Sequence, residues 1–535
     1  MYDVVIAGYG PTGMMAAALL GRAGHRVAVI ERYKSLYNLP RVGIVHDDVL
    51  RMFQELGLAE AIAPATYFLP VYELGKHGEV LLSNDVEPHA THGWPEMTSI
   101  YQPAFEAELD KLDTALPGVD VLKGLKAVGL AQDGAGVEVT VEDEAGQRRT
   151  IEGRWLIGAD GGNSFVREAL GISYADLGFD QNWLVIDAAA KPGRAGLPLL
   201  RQFCEPEQPG MTMQMGPGHR RWSFMIFPGE DPAEAVKPES VWRRLDRPEG
   251  GTPDEFELVR VVSYKFQSLD AEEWRVGRVF LAGDAAHQMP PFLAQGMCSG
   301  FRDAYNIAWK LDLVLKGLAA PAFLDSYAAE RQPNARATIV ESMRVGQNVN
   351  ERDPEKIRAR DAALRAMQAA KAKQPPTQKA LIAFRVPGFD DGFIADGAEG
   401  AGDIFPQGTV RAGGREGRFD DVVGRGFFVL VRDGAPAPAL DTDAAAFWRR
   451  LGGHVVTIGA PGSGAAVEDT EGVYLRLMDG YGADLLVKRP DYYLFGAGAA
   501  ATLPALLADL RRQLEGGDPA SAADAASAIA PLPLG

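Results

Sequence analysis

The stretch Tyr2-Asp-Val-Val-Ile-Ala-Gly-Tyr-Gly-Pro-Thr-Gly13 decides the fold of this chain. Its first half is a short run rich in Val and Ile, the composition of a buried parallel strand, and the glycines follow it directly. Good helix formers come next, from Met14 to Leu20. A strand, a glycine turn and a helix in this order predict a βαβ unit that binds a dinucleotide.

Each glycine of this loop has its own task in such a unit. Gly8 permits the tight turn, Gly10 lets the backbone approach a pyrophosphate, and Gly13 lets the helix pack closely on the strand. The helix that opens at Pro11 and Thr12 presents free N–H groups to the anion. We therefore assign these five residues to the phosphates of the cofactor.

A second strand, His25 to Ile30, ends at Glu31 and Arg32. The Glu31 carboxylate lies roughly 20 residues beyond the glycines, where it would accept hydrogen bonds from an adenosine ribose and repel a 2′-phosphate. We count Arg32 with Glu31 as a cofactor contact. FAD and NAD fit this first unit equally well, so later motifs must name the cofactor.

Two more strands end in motifs suited to ligand binding. Trp155 to Ala159 is followed by Asp160-Gly161, and Val279 to Ala282 is followed by Gly283-Asp284. Parallel sheets bind ligands at the carboxyl ends of their strands. We expect Asp160 and Gly161 to contact the cofactor, and Asp284 to accept hydrogen bonds from ribityl or ribose hydroxyls beside Gly283.

The segment after Asp284 indicates that the cofactor is a flavin. Pro290-Pro291 fixes the backbone direction, and Gln295-Gly296 then opens a long amphipathic helix. The apolar positions of that helix recur at spacings of four and three, at Met297, Phe301, Ala304, Ala308, Leu311 and Leu315. Its positive N-terminal end, including Gln295, Gly296 and Met297, would face the N1 and C2 carbonyl region of a flavin, which becomes negative on reduction.

These motifs carry a family resemblance. The chain resembles the single-component FAD-dependent aromatic hydroxylases, or class A flavoprotein monooxygenases, and among them most closely the 3-(3-hydroxyphenyl)propionate hydroxylases. The matching segments are Gly8 to Gly13, Pro40-Arg41, Tyr101 to Pro103, Gly158 to Arg167, Asn182 to Asp187, Leu281 to Gly300, Arg302 to Ala304, Ala308 to Leu311 and Ser326 to Arg331.

The resemblance implies a Rossmann-like FAD-binding fold of the α/β class and a monooxygenase reaction. NADH or NADPH, a transient co-substrate, reduces FAD, and reaction with O2 gives a C4a-hydroperoxyflavin that hydroxylates a phenolic ring ortho or para to a hydroxyl. It also implies that Asp160 and Gly161 serve both FAD and the nicotinamide cofactor, that Arg41 meets the pyrophosphate and that Gln102 lies along the flavin. Aromatic catabolism is the expected role, and tailoring of polyketides or other natural products is the alternative.

Four residues are candidates near the reacting ring: His46, Asp48, His287 and Pro291. Histidine suits a base or hydrogen-bond acceptor because its unperturbed pKa is about 6.5. The sequence around His46 looks like the Gly-Leu-His pattern of the polyketide-tailoring members, which leaves the substrate open. Two structural alternatives stay open: His46 as the cap of a helix that begins near Asp47, and His287 as a packed residue that orients its loop.

The central part of the chain predicts a mostly antiparallel sheet over the reactive edge of the flavin. Its candidate strands lie in Val137 to Val141, Ile172 to Ala190, Phe203 to Met215, Arg221 to Phe227 and Glu257 to Lys265. The candidate substrate-lining side chains are aromatic or Met residues that suit a planar apolar ring, with core packing as the alternative for each: Trp183, Phe203, Met213, Met215, Phe224 and Phe292.

We predict the domain boundaries from these motifs. The FAD-binding domain takes 1–85, 100–180 and 275–345, and the substrate sheet takes 86–99 and 181–274. A helical linker spans 346–395, a C-terminal unit that resembles a thioredoxin-like domain spans 396–520, and a flexible tail spans 521–535. The C-terminal unit contains no Cys, which excludes thiol redox chemistry and leaves structural support or a homodimer contact. We predict strands at Phe427 to Val431, His454 to Ile458, Val473 to Leu477, Asp484 to Lys488 and Tyr492 to Phe495, and helices at Asp443 to Leu451 and Leu503 to Leu514.

Composition narrows the function classes. A net charge of −18 argues against nucleic acid or an anionic membrane surface as partners. Two Cys residues exclude a disulfide framework and a multi-cysteine zinc site, so no metal is predicted, and they suit the cytoplasm. We expect no signal peptide and no spanning segment.

Two other function classes compete with the hydroxylase. A nicotinamide-dependent dehydrogenase is disfavoured by the single glycine loop and by Gly283-Asp284. A non-catalytic flavin-binding redox sensor would keep the FAD loops and need no aromatic pocket.

Overall fold

The computed structural model describes residues 1–192, 196–373, 385–436 and 440–516. Its strands, in chain order, are β1 (Tyr2–Ala7), β2 (Val27–Glu31), β3 (Ile44–His46), β4 (Thr66–Phe68), β5 (Val71–Lys76), β6 (Glu79–Asp85), β7 (Met97–Ile100), β8 (Val119–Lys123), β9 (Lys126–Gln132), β10 (Val137–Glu142), β11 (Arg148–Gly158), β12 (Tyr174–Ala190), β13 (Leu200–Phe203), β14 (Gly210–Gln214), β15 (His219–Ile226), β16 (Phe256–Ala271), β17 (Arg275–Val276), β18 (Val279–Leu281), β19 (His287–Gln288), β20 (Thr409–Ala412), β21 (Arg415–Arg418), β22 (Phe428–Arg432), β23 (His454–Gly459), β24 (Val467–Asp469), β25 (Leu485–Lys488) and β26 (Leu494–Gly498).

The α-helices, in chain order, are α1 (Pro11–Arg22), α2 (Asp47–Glu55), α3 (Ala59–Ile62), α4 (Gln102–Ala115), α5 (Phe165–Ala169), α6 (Pro232–Ala235), α7 (Pro238–Leu245), α8 (Gly296–Leu315), α9 (Ser326–Val349), α10 (Pro354–Lys371), α11 (Phe419–Val422), α12 (Thr442–Arg450), α13 (Val473–Tyr481) and α14 (Leu503–Leu514). Short 3-10 turns at Gly283–Ala285 and Pro291–Leu293 lie beside the candidate site.

The first sheet has the strand order β17-β18-β11-β1-β2-β8, with β10 and β9 continuing antiparallel from β11. Its centre is parallel: Val4 pairs with Val27 of β2 on one side and with Trp155 of β11 on the other. The buried faces of these strands explain their continuous apolar runs. The α/β fold predicted from Tyr2 to Gly13 is confirmed, and the carboxyl ends of β1, β11 and β18 lie together at one edge.

The second sheet has the order β19-β16-β12-β15-β14-β13-β5-β6 and is antiparallel except where β13 pairs with β5. The strands that form this sheet are not all within the ranges predicted for the substrate domain. Strands β5 and β6 belong to it, although we placed them in the FAD-binding domain, and β12 begins at Tyr174 and not at 181. We also counted Val137 to Val141 among the strands of this sheet, but as β10 (Val137–Glu142) it pairs with β11 of the first sheet, in agreement with the boundary 100–180. Alternation along a strand identifies the strand but not its partner, which explains these errors.

A small sheet, β3-β7-β4, connects the two domains. Ile44 pairs with Ser99 and His46 with Met97, so β3 ends with His46 at the start of α2. This connection brings the chain after Arg41 into the space between the FAD-binding domain and the second sheet.

The C-terminal unit has the thioredoxin-like order predicted for it. Strands β22 and β23 are parallel and joined through α12, and β25 and β26 follow antiparallel before α14. The prediction of a strand at Val473 to Leu477 was wrong, because these residues begin helix α13. The Asp469 carboxylate accepts N–H bonds from Val473 and Tyr474 and so caps that helix. The predicted tail at 521–535 lies outside the described residues, as does 374–384 of the predicted linker.

Buried charged groups join the C-terminal unit to the FAD-binding domain. The Arg489 guanidinium binds both oxygens of Glu330 on α9, at 3.0 and 2.7 Å, and Lys310 of α8 donates to the same carboxylate at 2.7 Å. Arg51 of α2 makes a bidentate pair with Asp420 at 2.7 and 2.9 Å. These contacts support the structural role expected of the unit. Across the described chain, no helix combines the length and apolar character needed to traverse a bilayer.

Candidate active site

The glycine loop has one open face. A Cβ built on Gly8, whose φ is +101°, would lie 2.3 Å from the Ala159 carbonyl oxygen. A Cβ built on Gly13 would lie 2.0 Å from the Gly8 carbonyl oxygen. At Gly10 the same atom would meet nothing within 4 Å. Helix α1 starts immediately after Gly10, with Pro11 in its first turn and no side chain capping it. The loop therefore leaves room for an anion at one place, the N-terminus of α1.

Glu31 holds the first residues of this loop in position. One of its carboxylate oxygens accepts the Tyr9 N–H at 2.9 Å, and the other accepts the Tyr33 N–H at 2.8 Å. Each oxygen keeps a second lone pair, which is what a ribose hydroxyl would need. Arg32 is exposed, with its guanidinium 4.8 Å from the centre of the Tyr33 ring.

The Asp160-Gly161 turn follows β11 at the same edge. The Asp160 carboxylate accepts the Val166 N–H at 3.1 Å and a hydrogen bond from the Ser164 hydroxyl. Burial raises the pKa of Asp160 above its usual value despite these two bonds. Gly161 has a φ of +86° and open space where a side chain would be. The carboxylate thus shapes the turn, and the backbone of Gly161 is the part of the motif left accessible.

Gly283 and Thr12 bring the distal motif against the N-terminal loop. A Cβ on Gly283 would lie 2.5 Å from the Thr12 hydroxyl, and one on Gly300 of α8 would lie 2.3 Å from it. Asp284 is exposed, and its backbone carbonyl accepts a hydrogen bond from Tyr174 at 2.7 Å. The two motifs that predicted one bound dinucleotide therefore meet through direct contact.

His287 packs inside the protein behind this turn. Its Nε2 lies 2.8 Å from the Asp303 carboxylate, and its ring stacks on Trp274. Asp303 also accepts the Gly283 N–H at 2.9 Å and a bond from Arg331 at 2.9 Å. Burial opposes ionisation of Asp303, yet His287 and Arg331 hold its pKa below the usual value. These contacts match the alternative in which His287 is a packed residue that orients its loop.

Gln102 fixes the segment that carries Arg41. Its side-chain oxygen accepts the backbone N–H groups of Arg41 and Val42 at 2.8 and 2.6 Å, and its nitrogen donates to Glu106 at 2.5 Å. The Arg41 side chain is nearly half exposed, 3.4 Å from Glu106 and stacked over Tyr37. The Arg41 guanidinium is thus the accessible group of this segment, whereas the Gln102 amide is committed to the protein.

His46 is buried at the N-terminal end of α2. Its side chain makes no capping bond, and its Nε2 lies 3.3 Å from the Leu293 carbonyl oxygen. Because a carbonyl can only accept, Nε2 carries the proton and Nδ1 is the basic nitrogen. Burial lowers the pKa of His46 to about 4, so the ring is neutral at pH 7. His46 is the N-cap residue of the helix that begins at Asp47, as the capping alternative predicts, but its side chain supplies no capping bond.

Asp48 pairs with Arg302 of α8 beneath His46. The Arg302 Nε donates to the carboxylate at 2.5 Å, and both side chains are buried. Although burial opposes its ionisation, Arg302 holds the pKa of Asp48 at about 2. The pair joins the first turn of α2 to α8, so Asp48 is an anchor of the site and is not accessible as a base.

The loop from Pro291 to Gln295 lies between the FAD-binding domain and the second sheet. Pro291 is exposed, and the Phe292 ring packs edge-on against Trp183 at 5.5 Å. Gln295 is fully buried, and neither atom of its side-chain amide has a partner among the described residues. A buried amide without a partner at the N-terminus of α8, next to Gly296 and Met297, fits a site where a ligand completes the hydrogen bonds.

The second sheet presents only some of the predicted substrate residues to this loop. Met213 and Met215 belong to a cluster, which we call the methionine cluster: Ile44, Leu69, Val86, Met97, Leu200, Met213 and Met215, bordered by Phe68, Tyr72, Leu199, Met211 and Ala294. Because Ala294 belongs to the loop from Pro291 to Gln295, the cluster contacts that loop. A Cβ on Gly43 would lie 2.1 Å from the Met215 sulfur, which shows how closely the chain before His46 approaches.

The predictions that Phe203 and Phe224 line the substrate site were wrong. Both lie on the opposite face of the sheet, in a core with Trp222, Val241 and Leu245 under helices α6 and α7. The register explains the error: successive residues of β13 point to opposite faces, so Leu200 and Gln202 face the loop and Phe203 does not. Gln202, whose amide donates to the Phe292 carbonyl at 3.2 Å, was missed although the same alternation marks it.

Comparisons with known proteins identify the family. Residues 1–342 match the family model described as an FAD binding domain, and residues 402–513 match the HcaD C-terminal domain. The chain is 40% identical to a probable NADH-specific resorcinol 4-hydroxylase of Rhodococcus jostii, over 99% of this chain and 96% of the relative. The chain belongs to the FAD-dependent aromatic hydroxylases.

Further similarities agree with that family. This hydroxylase is 33% identical to a 3-(3-hydroxy-phenyl)propionate/3-hydroxycinnamic acid hydroxylase of Mycolicibacterium smegmatis, over 94% of this chain and 92% of the relative. The crystal structure of aklavinone-11 hydroxylase with FAD and aklavinone superposes with a TM-score of 0.75 at 25% identity, covering 96% of this chain and 99% of that one. The hydroxylase uses FAD and a nicotinamide cofactor to hydroxylate an aromatic ring with O2, and the open face at Gly10 and the unpartnered Gln295 amide fit FAD.

Proposed function

We propose that this hydroxylase acts on a small, uncharged dihydroxybenzene of the resorcinol type, with NADH as the electron donor. The methionine cluster carries this proposal, because its apolar side chains suit a small uncharged ring. Arg221, which pairs with Met213 across β14 and β15, is bound to the Asp187 carboxylate at 2.6 and 3.0 Å, so a substrate carboxylate would have to compete with that pair for its cation. The name of the Rhodococcus jostii relative supports both the ring and the cofactor.

Several residues would hold FAD across the contact between the two motifs. Gly8, Gly10, Pro11, Thr12 and Gly13 would take the pyrophosphate at the start of α1. Glu31 and Arg32 would bind the adenosine, and Arg41 would bind a phosphate. Gly161 and Asp284 would bind the part of FAD that lies between the pyrophosphate and the flavin ring. When bound, FAD supplies the transfer of electrons from NADH and the activation of O2.

The start of α8 would stabilise negative charge on the reduced ring system. No side chain caps this helix and its first turn contains no acidic residue, so the N–H groups near Gly296 and Met297 keep their positive end undiminished. Arg302 and Asp48 hold the helix against α2, and Arg331 and His287 hold Asp303 behind Gly283. The charge-bearing groups near the site are thus paired with one another and fixed before any substrate arrives.

His46 would polarise the substrate phenol. Its pKa of about 4 makes it a weak base, so complete deprotonation is not its task. Its free Nδ1 instead accepts a hydrogen bond from the phenol, which moves electron density into the ring and favours attack at the ortho or para carbon. The bond from Nε2 to Leu293 fixes the tautomer that this role requires. The apolar cluster and the loop exclude water from the reacting atoms.

The alternative substrate is a phenylpropionate, since several relatives at 31–33% identity are named for it. The deciding experiment supplies the FAD-loaded protein with resorcinol or with 3-(3-hydroxyphenyl)propionate, and measures NADH consumed and hydroxylated product formed. We expect near-stoichiometric product with resorcinol and mostly hydrogen peroxide with the acid. Stoichiometric product from the acid alone would refute the proposal. A cytoplasmic location and a homodimer are also proposed, the latter tested by light scattering of the eluted protein.

A further inference from the structure

Gln202 lies on the face of the second sheet that looks toward the loop. It follows Leu200 by two residues on β13, and it pairs with Met211 on β14 as Leu200 pairs with Met213. Side chains two apart on a strand share a face, so Gln202 points with Leu200 toward the methionine cluster. Only 4% of its surface is exposed.

The amide of Gln202 has a defined orientation and one free atom. Its Nε2 donates to the Phe292 carbonyl at 3.2 Å, and because a carbonyl only accepts, the nitrogen and oxygen cannot be exchanged. Its Oε1 is buried and has no hydrogen-bond partner among the residues that the structure describes. An unpaired buried acceptor costs about 1–3 kcal/mol, so a ligand that donates to it would recover that energy.

Gln202 and His46 are attached to neighbouring carbonyls of one loop from two different domains. His46 contacts the Leu293 carbonyl from the FAD-binding domain, and Gln202 contacts that of Phe292 from the sheet. The methionine cluster lies on the same face of the sheet as Gln202, and Tyr72 at its border carries a hydroxyl. The Nδ1 of His46 and the Oε1 of Gln202 are thus two acceptors whose side chains are held by adjacent residues of one loop.

We propose that Gln202 selects for a second hydroxyl on the ring, by accepting a hydrogen bond from the hydroxyl meta to the one that His46 holds. This inference rests on the proposed function and names the residue that sets its substrate class. A monophenol leaves the Gln202 oxygen unpaired in a closed site, which is the arrangement that gives enzymes strong discrimination against an analogue lacking a hydroxyl.

The test compares resorcinol with 3-fluorophenol, whose fluorine is close to a hydroxyl in size and cannot donate. The variant Gln202→Met keeps the length of the side chain and removes the amide, and Gln202→Leu serves if the first folds poorly. We expect the ratio of kcat/KM for resorcinol to that for 3-fluorophenol to fall about 10- to 100-fold. The electronic effect of fluorine is the same in both proteins and cancels in the comparison of their ratios.

Gln214→Met is the matched control. Gln214 lies on the neighbouring strand β14, and its amide also donates to a backbone carbonyl, that of Gly216, at 2.6 Å. It alternates with Met213 and so points to the other face of the sheet. This variant should leave the ratio within about twofold of the wild type, with FAD content and melting temperature recorded for all proteins.

The outcomes separate this inference from the proposed function. If the wild-type protein does not couple NADH oxidation to resorcinol hydroxylation, the proposed function fails. If it does, and Gln202→Met lowers kcat/KM equally for both substrates, Gln202 only tethers the Phe292 loop and the inference is overturned. It is also overturned if Tyr72→Phe lowers the ratio and Gln202→Met does not, since selection would then belong to Tyr72.

Discussion

Replacing Gly10 by alanine should weaken FAD binding without harming the fold, whereas the same change at Gly13 should harm the fold itself. Gly10 has φ and ψ of −83° and −177°, a conformation that alanine adopts, and its new Cβ would meet no protein atom within 4 Å. Loss of chain entropy in the unfolded state should even stabilise the apoprotein by about 0.4–1 kcal/mol. The added methyl would occupy the place that we assign to the pyrophosphate.

The expected loss of affinity is about 10- to 100-fold in the Kd for FAD, or about 1.4–2.8 kcal/mol. Gly13→Ala differs because its Cβ would lie 2.0 Å from the backbone oxygen of Gly8, which no side-chain rotation relieves. Overpacking of that kind costs about 1–3 kcal/mol of unfolding free energy, or more.

The assay is urea unfolding of each apoprotein together with titration of FAD by fluorescence quenching. In urea, Gly10→Ala should be more stable than the wild type by about 0.4–1 kcal/mol, and in the titration it should bind FAD more weakly. Gly13→Ala should be destabilised. A Gly10→Ala protein that binds FAD with the wild-type Kd would refute the placement of the pyrophosphate at the start of α1.

Three further predictions concern the surroundings of the site. Arg302→Leu leaves the buried Asp48 carboxylate without its partner, so the unfolding free energy measured in urea should fall by about 3–5 kcal/mol. Arg148→Leu, which breaks the largely exposed pair of Arg148 with Glu142, is the control and should lower the unfolding free energy by less than about 1 kcal/mol. Phe224→Leu should lower stability and leave the KM for the aromatic substrate unchanged, whereas Met213→Ala should raise that KM; the reverse pattern would contradict the sheet register. Burial lowers the pKa of His46 to about 4, so the unfolded chain binds the proton near pH 6.5 before the folded protein does. Stability should therefore fall by on the order of 3 kcal/mol between pH 6.5 and 4 through this residue, and His46→Gln should reduce that slope in unfolding curves measured across this range.

The parts of the fold that the sequence predicts are those with local signals. The strand, glycine loop and helix from Tyr2 to Leu20 could be predicted because each element has its own pattern and the spacing joins them. The same holds for the ends of β11 and β18, where Asp160 and Asp284 lie as expected. Val473 to Leu477 shows the limit: its β-branched and aromatic residues favour a strand, and the cap from Asp469, close in sequence, makes it a helix.

The site was predictable only in part. The partner of a charged side chain, and the face of a sheet that becomes core, depend on contacts between residues that are distant in sequence. Nothing near Asp48 indicates that Arg302, on another helix, neutralises it. Likewise Phe203 fits an aromatic pocket by composition, and only the covering helices α6 and α7 reveal which side of the sheet is core. Gln202 was overlooked because a single glutamine in the four-residue strand Leu200–Phe203 forms no motif, yet its alternation with Phe203 was a usable signal.

The most direct test of the central claim is to follow the oxygen atom. The FAD-loaded protein is given NADH and resorcinol under 18O2, and the product is analysed by mass spectrometry while NADH consumption is recorded. The account predicts a trihydroxybenzene that carries one labelled oxygen atom, formed in near-equal amount to the NADH consumed. Unchanged resorcinol, with NADH oxidised to NAD+ and an equal amount of 18O2 reduced to labelled hydrogen peroxide, would contradict it.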